Sequence, residues 1–186
     1  MASVLLPMAE GFEEVEAVAL IDVMRRGGID VRVAYLEDEM QGNLVLGAHG
    51  ITIQADTSIK NVISDDFDMI VLPGGWGGTQ ALAENARILE LLREFKENKA
   101  VGAMCAAPYA LKKAGVLGER YTAYPGVEKE IDQPGYVADE KVVVDGNIMT
   151  SQGPGTAVCF GLAIVKRLVG EESMQNVKEA MLLSYC

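Results

Sequence analysis

The sequence predicts an α/β fold, a three-layer sandwich with helices on both faces of a mostly parallel central sheet. Three observations carry that prediction. Short apolar runs of strand length recur, at residues 3–6, 29–36, 67–72, 101–104 and 147–150. Segments of helical periodicity separate most of them. The first strand, helix and second strand fit into about thirty residues, the size of a βαβ unit. The 186 residues, 49% of them hydrophobic, can build one large core, and a single domain over 1–186 is expected.

Taken in order, Ser3-Val4-Leu5-Leu6 reads as a buried strand ending at Pro7, with a turn through Phe12. Residues 13–26 are helical in pattern. Glu13, Glu14 and Glu16 crowd the first turns and Arg25-Arg26 the last, as the helix dipole favours, and Gly27-Gly28 is a stop. Residues 29–36 alternate, with Val31, Val33 and Tyr35 on one face. Residues 42–46 and 51–54 flank Gly47-Ala48-His49-Gly50 as a hairpin. Residues 67–72 form a core strand closing in Pro73-Gly74-Gly75-Trp76-Gly77-Gly78. Helices are expected at 79–83 and 86–98, the second with Ile88, Leu89, Leu91, Leu92 and Phe95 as its apolar face. A strand at 101–104 leads into Cys105, which opens a helix to about residue 113. Residues 115–140 read as irregular. Residues 141–145 and 147–150 make a hairpin about Asp145-Gly146, and apolar 156–169 and then 171–183 close the chain as helices.

Composition excludes several functions. A net charge of -11 and a sequence pI near 4.5 argue against a nucleic-acid partner, which needs a basic footprint, and against an anionic membrane surface. No apolar run approaches the ~20 residues of a membrane span. The N-terminus lacks the basic region of a signal peptide, so a cytoplasmic location is expected. Three widely spaced cysteines, Cys105, Cys159 and Cys186, make no disulfide framework. Cys159 reads as core and Cys186 as a mobile terminus. With His49 the only histidine, no metal is expected.

In open parallel sheets ligands bind beyond the carboxyl ends of the strands. Four turns should meet there: the one before Glu13, 73–78, 105–108 and 151–155. Cys105 stands between a strand and a helix start. The N–H groups of Ala106 and Ala107 should face its sulfur and lower its pKa. Pro108 fits a first helical turn, and the small residues around it permit a nucleophile elbow. A buried, inert cysteine is the competing reading. Gly74-Gly75 can bring bare N–H groups to an oxyanion. His49 lies on the hairpin and reads as a surface residue rather than half of a Cys–His dyad. Glu13, Glu14 and Glu16 all have apolar i+4 neighbours, so periodicity does not separate them, although Glu16 shares a row with Ala19, Leu20 and Val23. Trp76 is either a pocket wall or a core cover.

Five motifs in register resemble the ThiJ/PfpI superfamily: Glu-Glu-Val-Glu at 13–16, Asp-Val-Met-Arg-Arg-Gly-Gly-Ile at 22–29, Leu-Pro-Gly-Gly at 72–75, Cys-Ala-Ala-Pro at 105–108 and Thr-Ser-Gln-Gly-Pro-Gly-Thr at 150–156. They are most similar to the branch containing the human parkinsonism-associated deglycase. The resemblance implies a flavodoxin-like homodimer with Cys105 as reactive cysteine, Glu16 as its protonated partner, and Gly75 and Ala106 as backbone donors to a substrate oxyanion. It implies a cofactor-free glyoxalase or deglycase acting on methylglyoxal, glyoxal or glycated groups, or else a redox-sensing stress protein or chaperone. Gly74 and Tyr124 are further pocket candidates. There are departures. Ala106 replaces the histidine of the protease-like branch, which argues against peptidase activity. Tyr124 stands where the human-like branch has histidine, and His49 and Gln152 stand where it has arginines.

Overall fold

The computed structural model describes residues 1–36 and 42–186. Nine strands and seven helices are found among them: β1 Ser3–Met8, α1 Glu14–Arg26, β2 Asp30–Tyr35, β3 Leu44–Leu46, β4 Thr52–Gln54, β5 Thr57–Ser58, β6 Met69–Leu72, α2 Trp76–Glu84, α3 Ala86–Asn98, β7 Ala100–Met104, α4 Pro108–Ala114, α5 Val127–Ile131, β8 Val142–Asp145, β9 Ile148–Ser151, α6 Ala157–Leu168 and α7 Glu171–Ala180. Seven strands form one sheet in the order β5-β2-β1-β6-β7-β9-β8. It is parallel except where β8 runs back along β9. The expected 42–54 hairpin exists as a separate antiparallel pair, β3–β4.

Alternation along the strands divides the core into two layers. Val4, Leu6, Met8, Met69 and Val71 pack with α1 and α6 on one face. Leu5, Ile70, Leu72, Val101 and Ala103 pack with α2, α3 and α4 on the other. Helix α3 shows why these segments are helical: Ile88, Leu91, Leu92 and Phe95 form a fully buried stripe, each worth about 1.5–3 kcal/mol, behind an Asn85 N-cap whose Oδ1 accepts from the Arg87 and Ile88 N–H groups. Helices α1 and α6 touch so closely that a Cβ at Gly27 would lie 2.5 Å from Val165 Cγ2. Among the described residues no helix is long and apolar enough to cross a membrane.

Several expectations need correction. The first strand continues through Pro7 to Met8, because β6 pairs only with Val4 and Leu5 and Pro7 lies beyond that ladder. α2 begins at Trp76 rather than 79, capped by Gly75. The stretch 115–140 holds a short helix, α5, over a small cluster of Tyr121, Ala123 and Ile131. The last helix stops at Ala180. Cys159 and Cys186 are joined in a disulfide with Cα atoms 5.2 Å apart, so Cys186 anchors the C-terminal segment to α6 instead of ending it loosely. Lys141 adds a hydrogen bond from its ammonium to the Tyr185 carbonyl.

Candidate active site

β7 delivers Cys105 to the carboxyl edge of the sheet, and the chain turns there at once. Cys105 has φ 61°, a left-handed conformation that costs a residue with a Cβ about 1–2 kcal/mol. Neighbouring elements hold it. Its N–H donates to the Ser151 carbonyl and its carbonyl accepts from the Tyr124 N–H, both at 2.9 Å. Cys105 is therefore an elbow residue, but not the first residue of the helix. α4 starts at Pro108, and the Ala107 N–H donates to the Met104 carbonyl at 2.9 Å. Of the two N–H groups expected at the sulfur, Ala106 reaches it and Ala107 does not; the second donor is Gly75.

Gly75 sits at φ 88°, where a Cβ would lie 2.4 Å from the Gly11 carbonyl oxygen, so only glycine can aim this N–H. Gly74 is equally constrained by space. A Cβ there would fall 2.6 Å from Glu16 Oε2 and 2.9 Å from Cys105 Sγ. Carboxyl and thiol thus face one another across the bare Cα of Gly74, in hydrogen-bonding contact. The Gly74 N–H donates to Glu16 Oε2 at 2.7 Å, while Oε1 is buried with no hydrogen-bond partner among the described residues.

The structure separates the three glutamates that periodicity left equivalent. Glu13 caps α1, its Oε2 accepting from the Glu16 N–H at 2.7 Å. Glu14 turns to the hairpin, where it accepts from the His49 N–H at 2.5 Å and pairs with His49 Nδ1 at 2.8 Å. Burial disfavours the Glu14 carboxylate, but these bonds outweigh it and hold its pKa below the usual value; the same pairing raises His49. Only Glu16, fully buried, meets the thiol.

Burial, with a smaller push from the Glu13 charge, lifts the Glu16 carboxyl to about 7 against the lowering by its bonds to Cys105 and Gly74. Burial first, then the charge and hydrogen bond of Glu16, pushes the Cys105 thiol up to about 12, although the Gly75 and Ala106 N–H groups pull it down. The lowered thiol pKa expected from sequence is thus reversed, because the helix-start donors are outweighed by burial and a second acid. Two adjacent acids ionise as a pair. This one loses its first proton near 7 and keeps the second to about 12. The first proton leaves Glu16, the stronger acid of the two, so the resting pair is a carboxylate beside a thiol. The sulfur has two N–H groups and the carboxyl one. Those two donors would stabilise a thiolate once Glu16 takes the thiol proton.

A pocket of about 540 Å³ opens onto the thiol. Trp76, Tyr124, Val127 and Pro154 line it, with Glu13 and His49 at its polar end. Trp76 is thus a pocket wall, with Tyr109 behind it at 5.4 Å between ring centroids. Tyr124 covers Gly153, whose Cβ position lies 3.1 Å from the tyrosine ring. His49 shares the pocket, but its ring is bound to Glu14, and the thiol's partners are Glu16, Gly75 and Ala106. Gln152 gives its amide to the Ala138 carbonyl. Glu13, Glu14 and His49 bring one ligand atom each within 4.8 Å of one another, a spacing a cation could bridge, with Glu14 already engaged by the hairpin. The His49–Glu14 pair and the pocket roles of Val127 and Pro154 had no local sequence signal, since each depends on contacts between distant segments.

Comparison with known proteins gives the family and the fold. The profile of the DJ-1/PfpI family matches residues 2–167. The chain is 42% identical to protein dj-1beta of Drosophila melanogaster over 98% of both chains. It is 37% identical to the glutathione-independent glyoxalase DJR-1.2 of Caenorhabditis elegans, covering 98% of this chain and 96% of that one. The crystal structure of Drosophila melanogaster DJ-1beta superposes with a TM-score of 0.93 at 42% identity over 99% of both chains. Oxidized Toxoplasma gondii DJ-1 superposes at 0.90 with 33% identity, covering 100% of each. The fold is the flavodoxin-like sandwich of those structures.

Proposed function

Because the chain belongs to the DJ-1/PfpI family, we propose that it is a cofactor-independent glyoxalase that hydrates methylglyoxal or glyoxal to the α-hydroxy acid, with the related deglycation of their adducts. One observation carries the reading: the Cys105 thiol and the Glu16 carboxyl face one another across the bare Cα of Gly74, with the Gly75 and Ala106 N–H groups at the sulfur. The relative named a glutathione-independent glyoxalase supports it.

The chemistry follows from those groups. The Glu16 carboxylate takes the Cys105 proton, and the thiolate adds to the aldehyde carbon. The C–S bond forms, and the negative charge moves from sulfur to the adjacent oxygen, still within reach of the Gly75 and Ala106 N–H groups. Protonated Glu16 neutralises that oxygen, giving a hemithioacetal and leaving a carboxylate. The carboxylate removes the C1 proton and returns it to C2, while the hydroxyl proton passes from O1 to O2. C1 is oxidised to a thioester as C2 is reduced to a carbinol, so no external oxidant is needed. Water attacks the thioester, the C–S bond breaks, and the sulfur leaves as thiolate and takes up the proton shed by the new carboxylic acid.

Lactate formation from methylglyoxal is the test. Wild type is expected to turn over, and Cys105→Ala and Glu16→Gln each to lose activity by at least about a hundredfold, the scale of general acid–base catalysis. Wild-type rates in either variant would remove this mechanism. A second reading has one observation behind it. With Cys159 and Cys186 joined, Cys105 is the free thiol that an oxidant can reach, and protonated Glu16 could donate to a sulfinate oxygen. Peroxide would then add two oxygens at Cys105 in a protein with negligible dicarbonyl turnover.

A further inference from the structure

The substituent side of the pocket is built for more than a methyl group. At about 540 Å³ it falls in the ~300–1,000 Å³ range of sites for drug-sized ligands. A three-carbon oxoaldehyde fills little of it. Its walls beside the thiol are Trp76, Tyr124, Val127 and Pro154. Both aromatics are large apolar side chains left open to solvent, Trp76 at 41% and Tyr124 at 51%. Each is tied to the reacting atoms. Trp76 directly follows Gly75, whose N–H faces the sulfur, and the Tyr124 N–H donates to the Cys105 carbonyl. Trp76 is steadied by Tyr109 behind it, and Tyr124 lies over Gly153. At the polar end, Glu13 is occupied as a helix cap and the His49 ring is paired with Glu14. Among the described residues lining the pocket, the one group able to carry positive charge is His49, already paired with Glu14.

We propose that this site is specific for α-oxoaldehydes carrying an aromatic or bulky apolar substituent, with Trp76 and Tyr124 as the specificity-determining residues; this rests on the glyoxalase reading above. A planar ring held between the two aromatic walls gains area burial and ring–ring contact that methylglyoxal cannot make. The reaction is unchanged in its balance: phenylglyoxal plus water gives mandelate, with C1 oxidised, C2 reduced and no other reagent.

The experiment measures kcat/KM for phenylglyoxal (as mandelate) and for methylglyoxal (as lactate), with Cys105→Ala as the uncatalysed blank. Wild type is expected to prefer phenylglyoxal at least tenfold. That ratio should fall about tenfold in Trp76→Ala and in Tyr124→Ala, with circular dichroism reporting that both fold. Turnover of methylglyoxal with no preference for phenylglyoxal, or a ratio unmoved by both substitutions, overturns the proposal and leaves the glyoxalase reading intact. If neither substrate turns over, the glyoxalase reading fails, and the substituent site is judged by binding. Trp76, the chain's one tryptophan, is the probe. Saturable quenching by mandelate at concentrations at least tenfold below those needed for lactate supports the site, and equal response to both refutes it.

Discussion

Replacing Glu16 by glutamine should change how stability depends on pH, not only abolish turnover. The folded protein holds this carboxyl's proton up to about 7, whereas the unfolded chain releases it near 4.5. Between those values the native state binds more protons than the unfolded state. Stability from this group is therefore fully present below 4.5 and is lost as pH rises through about 7. At 1.36 kcal/mol per pH unit the loss is about 3 kcal/mol. Glutamine keeps an oxygen for the Gly74 N–H and an amide that can face the thiol, but carries no titrating proton. Urea unfolding followed by circular dichroism, with the disulfide intact, gives the comparison. Wild type and Glu16→Gln should be close at pH 5, and the variant should be more stable by about 3 kcal/mol at pH 8. At roughly 2 kcal/mol per molar urea, that separates the midpoints by about 1.5 M. Groups not in contact with Glu16 titrate equally in both proteins and cancel. Parallel pH dependence of the two proteins would show that Glu16 ionises in the fold as it does in water, and the shared-proton pair would fall with it.

Two further outcomes follow from the packing. Reducing Cys159–Cys186, or replacing Cys186 by serine, reopens a closure of 27 residues, and chain entropy puts the loss at about 3.5 kcal/mol, or ~10 °C in Tm by calorimetry with and without reductant; an unchanged Tm would mean the tie adds nothing. Gly74→Ala would drive a Cβ between the Cys105 and Glu16 side chains. It should cost about 1–3 kcal/mol in urea unfolding and eliminate lactate formation, whereas a folded, fully active Gly74→Ala protein would contradict the geometry.

The layers of this fold were legible because each rests on local pattern. The alternation of residues 29–36, the stripe of α3 and the glycines after residue 26 are all short-range signals, and β2, α3 and the end of α1 appear where those signals put them. Errors arose where a distant segment decides. Pro7 stays in β1 because β6 stops short of it, a fact about residues 69 and 70. Cys186 is fixed by Cys159, and no spacing rule relates a terminal cysteine to one in a helix. The two-residue β5 is a strand only because β2 lies beside it.

The site divides along the same line. Cys105 and the Gly-Gly turn were visible because an elbow and a tight approach demand particular small residues in order. The choice among Glu13, Glu14 and Glu16 was not visible, since all three share a helix end and apolar neighbours. What separates them is where their oxygens find N–H groups: one turn along in α1, on the hairpin at residues 49 and 51, and at Gly74. The same absence of local information explains the thiol. Helix-start donors alone argue for an acidic cysteine, and of the two expected only Ala106 reaches the sulfur, joined there by Gly75. A carboxyl brought in from 89 positions away along the chain adds its charge and hydrogen bond to burial, and together they push the thiol up despite those donors. For a thiol that must attack, a carboxylate in contact with it can take its proton and then return it to the resulting oxygen. The Gly75 and Ala106 N–H groups are placed to hold the thiolate that this transfer creates.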